Sequence, residues 1–238
     1  MLLQAKPQAI EIDPTRTALI VVDMQNDFGS KGGMFDRAGI DISGIQAAIA
    51  PTGRAIEAAR RSGIPVIYLK MGFRADLSDA GAQDSPNRIK HQAMHVGEAV
   101  RAPDGTEGRI LIRDTWNTKI VNELKPHAED IEVWKTRYSG FYQTDLDSVL
   151  RRLNTTYLVI TGCTTCVCVE STMRDAMFRD YSCVLLADCA AEPIGHNRPT
   201  SNHDASLLLM EALFGWIAQS EDFVSAVEAR VQAGAGVA

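Results

Sequence analysis

The chain has 238 residues, of which 45% are hydrophobic, and a formal net charge of −6. This length and composition fit one α/β domain with a substantial core, and the acidic balance argues against nucleic acid or an anionic membrane as the main partner. No apolar run approaches the roughly 18 residues of a membrane span, and the first residues hold no apolar stretch of signal-peptide length, so we expect a cytoplasmic protein.

The first third of the chain alternates apolar runs with an amphipathic one. TALIVVD at 17–23 predicts a strand that is buried on both faces, because it is continuous, apolar and rich in β-branched residues. GRAIEAARRSG at 53–63 predicts a helix that stops at Gly63. IPVIYLK at 64–70 predicts the next strand.

Residues 72–108 depart from this alternation. Gly, Pro, Asp and Ser occur throughout the segment, and it shows little periodicity. A stretch of this length inside a compact domain is typical of a functional excursion, so we expect a long loop or lid over a binding site. A disordered segment is the alternative.

The remainder returns to alternating units. Helices are predicted at 117–126, 144–154, 169–181 and 204–217, and strands at 130–135, 157–162 and 182–189. Repeated strand-then-helix units with apolar strands are typical of a parallel sheet covered by helices on both faces. We therefore expect one domain over residues 1–238, with a three-layer α/β/α architecture and a mostly parallel sheet.

Five cysteines lie at positions 163, 166, 168, 183 and 189, all in the last third of the chain. Their odd number and their clustering argue against a disulfide framework. We expect reduced thiols.

Reactive side chains follow three of the predicted strands. Asp23 ends the first, Lys135 ends DIEVWK, and the cysteine cluster follows YLVITG. Sites in parallel sheets form at the carboxyl ends of strands, so an acid, a cation and a thiol should share one crevice. If a helix begins near Thr165, both Cys166 and Cys168 lie in its first turn, where backbone N–H groups favour a thiolate and can bind an oxyanion. The residues alone leave both cysteines open as nucleophiles.

Other uses of these residues are possible in principle. Cys163 and Cys166 form a C-x-x-C pair, which suits a redox protein but leaves Asp23 and Lys135 without a role. A zinc site would need more ligands than Cys168 adds. His91 and His95 are four residues apart and would make half a metal site on a helix; solvated loop histidines are the alternative. A non-catalytic binding module is the remaining alternative.

Three motifs resemble those of the isochorismatase-like cysteine hydrolases: ALIVVDMQNDF, VWKTRYSGF and TGCTTCVCVEST, in this order. The resemblance implies that Cys168 is the nucleophile, that Asp23 is the base, and that Lys135 is the cation that assists the thiol. It also implies a cis peptide between Cys163 and Thr164, with the N–H groups of Thr164 and Cys168 forming the oxyanion hole. No cofactor and no metal are implied, and a homodimer or homotetramer is.

Within that family, further stretches resemble the ureide-cleaving branch. RYSGF, VESTMRD, DSPN and LFGWI are similar to ureidoacrylate amidohydrolases, whereas DFGSKGG, FRADLSD and LLADC are similar to biuret hydrolases. Both groups hydrolyse a carbamoylated nitrogen, so the resemblance implies a small linear ureide as substrate. A ureidoacrylate-type ureide is the first expectation, and biuret or triuret is the alternative. Met71, Gly72 and Phe73 stand where the ureidoacrylate group tends to carry Asn-Gly-Trp.

Five side chains are predicted to bind the substrate. Gln25 and Asn26 directly follow Asp23, and their alternative role is to cap the next loop. Arg74 offers a bidentate fork to a carboxylate or a ureide oxygen, unless it is a solvated loop arginine. Asn87 lies in the predicted lid, together with Ser85 and Lys90. Tyr138 is expected either to form a wall of the pocket or to pack in the core.

Overall fold

The computed structural model describes residues 1–195 and 201–235, and a parallel sheet forms its centre. The strands are β1 (Leu2–Leu3), β2 (Ile10–Glu11), β3 (Thr17–Val22), β4 (Val66–Met71), β5 (Ala99–Arg101), β6 (Glu107–Arg109), β7 (Ile131–Lys135), β8 (Tyr157–Cys163), β9 (Ser182–Ala191) and β10 (Trp216–Ala218). Six of them form the central sheet in the order β10-β9-β8-β3-β4-β7, and every pairing in it is parallel.

Helices cover both faces of this sheet. They are α1 (Asn26–Gly29), α2 (Met34–Arg37), α3 (Ser43–Arg61), α4 (Pro86–Gln92), α5 (Leu146–Arg152), α6 (Glu170–Met177), α7 (Asn202–Leu209) and α8 (Ser220–Ala235). None of the described helices combines the length and the apolar composition needed to cross a membrane.

Strand β3 shows how the sheet separates two cores. Leu19 and Val21 pack into the core that contains the buried faces of α3 and α8. Ala18, Ile20 and Val22 point the other way, into the core that contains α5 and α6. Alternate residues of a strand point to opposite faces, so a strand buried on both sides needs a nearly continuous apolar run, which β3 has from Ala18 to Val22. The predicted three-layer α/β/α fold is confirmed.

The predicted helix at 117–126 is wrong. This segment contains only two short 3-10 turns, at 116–118 and 122–124. Beyond these turns, several of its polar groups bond to distant parts of the chain. The buried Asn117 side chain donates to Asp27, the Thr118 carbonyl oxygen accepts from the Gln25 side chain, and the Lys119 carbonyl oxygen accepts from the Asn26 N–H. Tertiary hydrogen bonds outweigh the local helical preference here.

The predicted last helix is correct only in part. Helix α7 continues as a π-helical turn at 210–214, and the chain then breaks at Gly215 to form the edge strand β10. A Cβ at Gly215 would lie 2.2 Å from the Cys183 carbonyl oxygen, so the close approach to β9 requires glycine. Strand β10 therefore replaces the end of the predicted helix, and α8 lies beyond the elements that the sequence predicted.

Residues 72–108, expected to be a long loop, contain α4 and the β5–β6 hairpin. Ser85 caps α4 by accepting a hydrogen bond from the Arg88 N–H. Helix α4 carries His91 to the cavity described below. The role of the segment as a lid stays a prediction.

Candidate active site

The carboxyl ends of β3, β7 and β8 bring three reactive side chains together. Asp23 Oδ2 lies 2.7 Å from Lys135 Nζ, and both side chains are at most 1% exposed. The thiol of Cys168, itself 7% exposed, lies beside this pair and interacts electrostatically with both the Asp23 carboxyl group and the Lys135 ammonium group. An acid, a cation and a thiol therefore share one crevice, as the strand-end positions predicted.

Asp23 is held in place by the backbone N–H of Met71, which also bonds to Gln25. It has a left-handed backbone conformation, with φ of +51°, which few non-glycine residues adopt. Its Oδ1 accepts a hydrogen bond from the Met71 N–H at 2.9 Å, and the same N–H also donates to Gln25 Oε1. Gln25 Nε2 in turn donates to the carbonyl oxygens of Met71 and Thr118. Gln25 thus makes two hydrogen bonds to Met71, whose N–H also holds the base, and a third to Thr118.

Cys168 lies in the π-helical turn Thr165–Val169, which joins β8 to α6. The peptide bond between Cys163 and Thr164 is cis, so that expectation from the resemblance is confirmed. Among the residues that the structure describes, the Thr164 N–H donates to no acceptor, whereas the Thr164 carbonyl oxygen accepts from Val167 and Val169. The Thr164 N–H is therefore available to an oxygen of a ligand beside Cys168.

The other two cysteines of the cluster have different partners. Cys166 Sγ donates to Glu192 Oε2 at 2.8 Å, and the Cys166 N–H donates to the same oxygen at 3.2 Å. Cys163 Sγ donates to the Asp23 carbonyl oxygen at 3.2 Å. All three thiols are free. The geometry thus separates Cys168 from Cys166, a choice that the residues alone left open.

Burial dominates the electrostatics of the site. It raises the pKa of the Cys168 thiol well above its ordinary value, with Asp23 acting in the same direction and Lys135 opposing. The low thiol pKa expected at a helix start is therefore wrong, because desolvation outweighs the helix N–H groups. Burial also raises the pKa of Asp23, against the attraction of Lys135. Desolvation lowers the pKa of Lys135, but its attraction to Asp23 and Cys168 outweighs this and the net pKa is raised.

A small cavity of about 130 Å³ opens above the thiol. Its walls are mostly apolar: Phe28, Met34, Phe35, Ile40, Met71, His91, Met94, Leu111, Tyr138, Cys163, Thr164, Val167, Cys168 and Ile194. Pockets for drug-sized ligands usually measure roughly 300–1,000 Å³. This cavity therefore suits a ligand of only a few heavy atoms.

Of the five predicted substrate-binding residues, Tyr138 lines this cavity. The amides of Gln25 and Asn26 are used internally, since Asn26 Nδ2 donates to the Trp116 carbonyl oxygen. Arg74 is exposed on the surface. Asn87 Nδ2 donates to the Ala80 carbonyl oxygen, within the predicted lid. A substrate-binding role for all five residues stays a prediction.

Three polar residues are buried at or near the site in a way that the sequence analysis does not predict. His91 was considered as a solvated loop histidine or a metal ligand, but it is 2% exposed and lines the cavity. Burial raises the pKa of Asp27 to about 6, although the carboxylate accepts hydrogen bonds from Leu111, Asn117 and Met34. Glu192 binds the turn that carries Cys168. Asp27 has a signal in the sequence because it lies in the motif that contains Asp23, and His91 has one in its spacing from His95, whereas no local pattern singles out Glu192.

Metal ligation finds little support in the described residues. Within residues 1–195 and 201–235, no group of three His, Cys, Asp or Glu side chains is arranged to hold a metal ion. His95 is exposed and pairs with Glu98. His196 lies outside the described residues.

Comparison with known proteins places the chain among hydrolases. The Isochorismatase domain family matches residues 17–222. Ureidoacrylate amidohydrolase RutB of Methylobacterium radiotolerans is 43% identical over 240 aligned positions, which cover 100% of this chain and 90% of that protein. The solved structure of a cysteine hydrolase from Pseudomonas syringae pv. phaseolicola 1448A has a TM-score of 0.78 at 28% identity, covering 96% of this chain and 98% of that one. N-carbamoylsarcosine amidase from Thermoplasma acidophilum has a TM-score of 0.62 at 26% identity, covering 86% and 96%.

Proposed function

This chain belongs to the isochorismatase family, and we propose that it is a cysteine-dependent amidohydrolase that cleaves a C–N bond of a linear, ureidoacrylate-type ureide. The observation that carries the proposal is the contact of the Cys168 thiol with the Asp23–Lys135 ion pair beside a small cavity. The identity to ureidoacrylate amidohydrolase RutB along the whole chain supports the choice of substrate class.

The ion pair explains how a thiol of raised pKa can attack. When the Asp23 carboxylate takes the proton of Cys168, the negative charge moves from the carboxylate to the sulfur. Lys135 contacts both groups, so its ammonium stabilises the charge in either position. The transfer therefore creates no unpaired charge in the buried site, and the thiolate forms only when Cys168 attacks the substrate.

The rest of the reaction follows from this transfer. The sulfur attacks the ureide carbonyl carbon, a C–S bond forms, and the π electrons move to the oxygen, to which we assign the N–H groups of Thr164 and Cys168. Collapse of this intermediate breaks the C–N bond, and the departing amine takes the proton from Asp23. Water, deprotonated by Asp23, then attacks the S-carbamoyl group, releasing carbamate and the thiol. These steps use side chains and water and need no cofactor.

Biuret or triuret is the second candidate substrate. Among the described residues, the cavity lining contains no lysine or arginine that could pair with a carboxylate. Met71, which lines the cavity, offers a thioether in place of an amide. A neutral ureide such as biuret would leave no charge unpaired in these apolar walls.

We also propose a cytoplasmic location, no nucleic-acid partner and a homodimer or homotetramer. The net charge of −6 supports the absence of nucleic-acid binding. Large apolar side chains are exposed on and near α6 and α7, and they support self-association: Phe178 at 68%, Leu208 at 66% and Leu213 at 62%.

A substrate panel tests the proposed activity. Ammonia is measured with ureidoacrylate, biuret, triuret, nicotinamide and a simple alkyl amide; ureides release it through carbamate, whereas the two simple amides would release it directly. The wild-type protein and Cys166→Ala should hydrolyse a ureide, and Cys168→Ala should not. Activity lost only in Cys166→Ala would contradict the assigned nucleophile. No turnover of any ureide would contradict the proposed activity and favour a binding module, and a reversible Cys163–Cys166 disulfide would favour a redox protein.

A further inference from the structure

His91 is a buried polar residue beside the thiol that the reaction above does not use. It projects from α4 and lines the same cavity as Cys168. Its ring packs edge-on against Phe73, with centroids 5.1 Å apart, and lies 5.9 Å from the ring of Tyr138. The two aromatic neighbours fix the plane of the imidazole, so its nitrogens have defined directions.

The hydrogen bonds of the ring define its tautomer. His91 Nδ1 lies 2.7 Å from the Asn87 carbonyl oxygen. A carbonyl oxygen only accepts, so Nδ1 carries the hydrogen. Burial lowers the pKa of His91, and the positive charges of Arg137 and Lys135 act in the same direction, against the Asn87 carbonyl. The ring is therefore neutral at pH 7, and Nε2 carries a lone pair.

The second ring nitrogen, Nε2, has no hydrogen-bond donor among its described neighbours. Within residues 1–195 and 201–235, no group donates a hydrogen bond to it. The other walls of the cavity are mainly apolar carbon and methionine sulfur. An acceptor that stays unpaired when a ligand expels water from such a cavity is costly, so the ligand should supply the donor.

We propose that His91 Nε2 accepts a hydrogen bond from the internal N–H of the substrate, and that His91 thereby selects ureides whose internal nitrogen, next to the carbonyl attacked by Cys168, still carries a hydrogen. The inference rests on the proposed ureide hydrolysis and specifies the substrate class further. His91 is a specificity-determining residue in this account: it leaves the bond-breaking steps to Cys168 and Asp23.

The test compares pairs of substrates in matched variants. The substrates are ureidoacrylate and biuret, each with and without a methyl group on the internal ureide nitrogen. His91→Phe keeps the ring packing against Phe73 and Tyr138 but removes both nitrogens. Wild type should prefer each parent ureide that it hydrolyses over its N-methyl derivative. His91→Phe should lose roughly 10- to 100-fold in kcat/KM on that parent and little on the derivative, so the discrimination ratio collapses.

Controls separate this role from simple packing. His91→Asn restores an acceptor and should recover part of the ratio, whereas Met94→Leu changes only an apolar wall and should keep it. If His91→Phe does not fold, His91→Leu takes its place, and the same collapse of the discrimination ratio is expected. An unchanged ratio in His91→Phe or His91→Leu, with ureide turnover intact, overturns this inference alone. Failure of the wild type to hydrolyse any ureide overturns the proposed function and this inference with it.

Discussion

Removing the buried cation is the most informative perturbation of the site. Lys135→Met leaves the Asp23 carboxyl group without the ammonium that now lies 2.7 Å away. At that distance, and with an effective dielectric constant of about 20, the lost attraction is roughly 6 kcal/mol. Much of it is offset by the desolvation of both ions, and breaking a buried pair by removing one partner typically costs about 3–5 kcal/mol.

Protonation of Asp23 limits that cost. An unfolded aspartate has a pKa near 3.9, so holding it neutral at pH 7 costs about 3 pH units, or roughly 4 kcal/mol. We therefore expect Lys135→Met to lose about 4 kcal/mol of unfolding free energy at pH 7. The folded variant binds a proton that the unfolded chain does not, so its stability falls as pH rises. As pH falls from 7 to 5, the loss of unfolding free energy should shrink by about 1.4 kcal/mol for each pH unit. A neutral Asp23 cannot act as a base, so activity should be lost throughout.

Urea unfolding at pH 5, 6, 7 and 8 measures this effect. The double variant Asp23→Asn/Lys135→Met removes the titrating group and should abolish the added pH dependence. Lys70→Met breaks the more exposed pair between Lys70 and Glu132 and should cost about 0–1 kcal/mol at every pH. The reasoning is refuted if Lys135→Met loses no more stability than Lys70→Met, or if its loss is the same at pH 5 and pH 8.

Three further predictions test the surroundings of the site. Cys166→Ser keeps a hydrogen-bond donor for Glu192 and should retain most of the ureide-hydrolase activity. Cys168→Ser should lower kcat on the order of 10³-fold or more, and the reverse order in a kinetic assay would exclude Cys168 as the nucleophile. Burial raises the pKa of Asp27 from 3.8 to about 6, so the folded protein binds a proton that the unfolded chain releases. The wild type should therefore lose roughly 2 kcal/mol of stability as pH rises from 4 to 6, and Asp27→Asn should remove that slope in urea titrations; an unchanged slope would contradict the assignment. Gly162→Ala should lower the free energy of unfolding by roughly 3 kcal/mol or more, because φ is +114° and the new Cβ would lie 2.0 Å from the Val22 carbonyl oxygen. A loss below about 1 kcal/mol in the same urea assay would show that β3 and β8 can separate.

The sequence predicted the parts of the site that depend on strand periodicity. Strands β3, β4 and β8 are predominantly apolar, whereas the edge strand β7 also carries Glu132. A parallel sheet places the carboxyl ends of all four strands at one edge. The convergence of Asp23, Lys135 and the cysteine cluster follows from that rule. The choice of Cys168 over Cys166 came from the resemblance, and the structure adds that Cys166 faces Glu192 instead.

The features that escaped prediction depend on contacts between distant segments. His91 is buried because Phe73 and Tyr138, which come from other parts of the chain, pack around it. Residues 117–126 have helical periodicity, but Asn117 is used by Asp27 across the fold. The raised pKa of the Cys168 thiol depends on how deeply the turn lies under the cavity walls. Local periodicity contains no information about any of these environments.

The central claim is that Cys168 forms a covalent intermediate with a ureide. Its most direct test is acid quenching of the wild-type protein during turnover of the preferred ureide, followed by mass spectrometry of its peptides. The account predicts that one carbamoyl group is added to the thiol of Cys168 and that no adduct forms in Cys168→Ala. A carbamoyl group on Cys166, or steady ureide hydrolysis by Cys168→Ala, would contradict it.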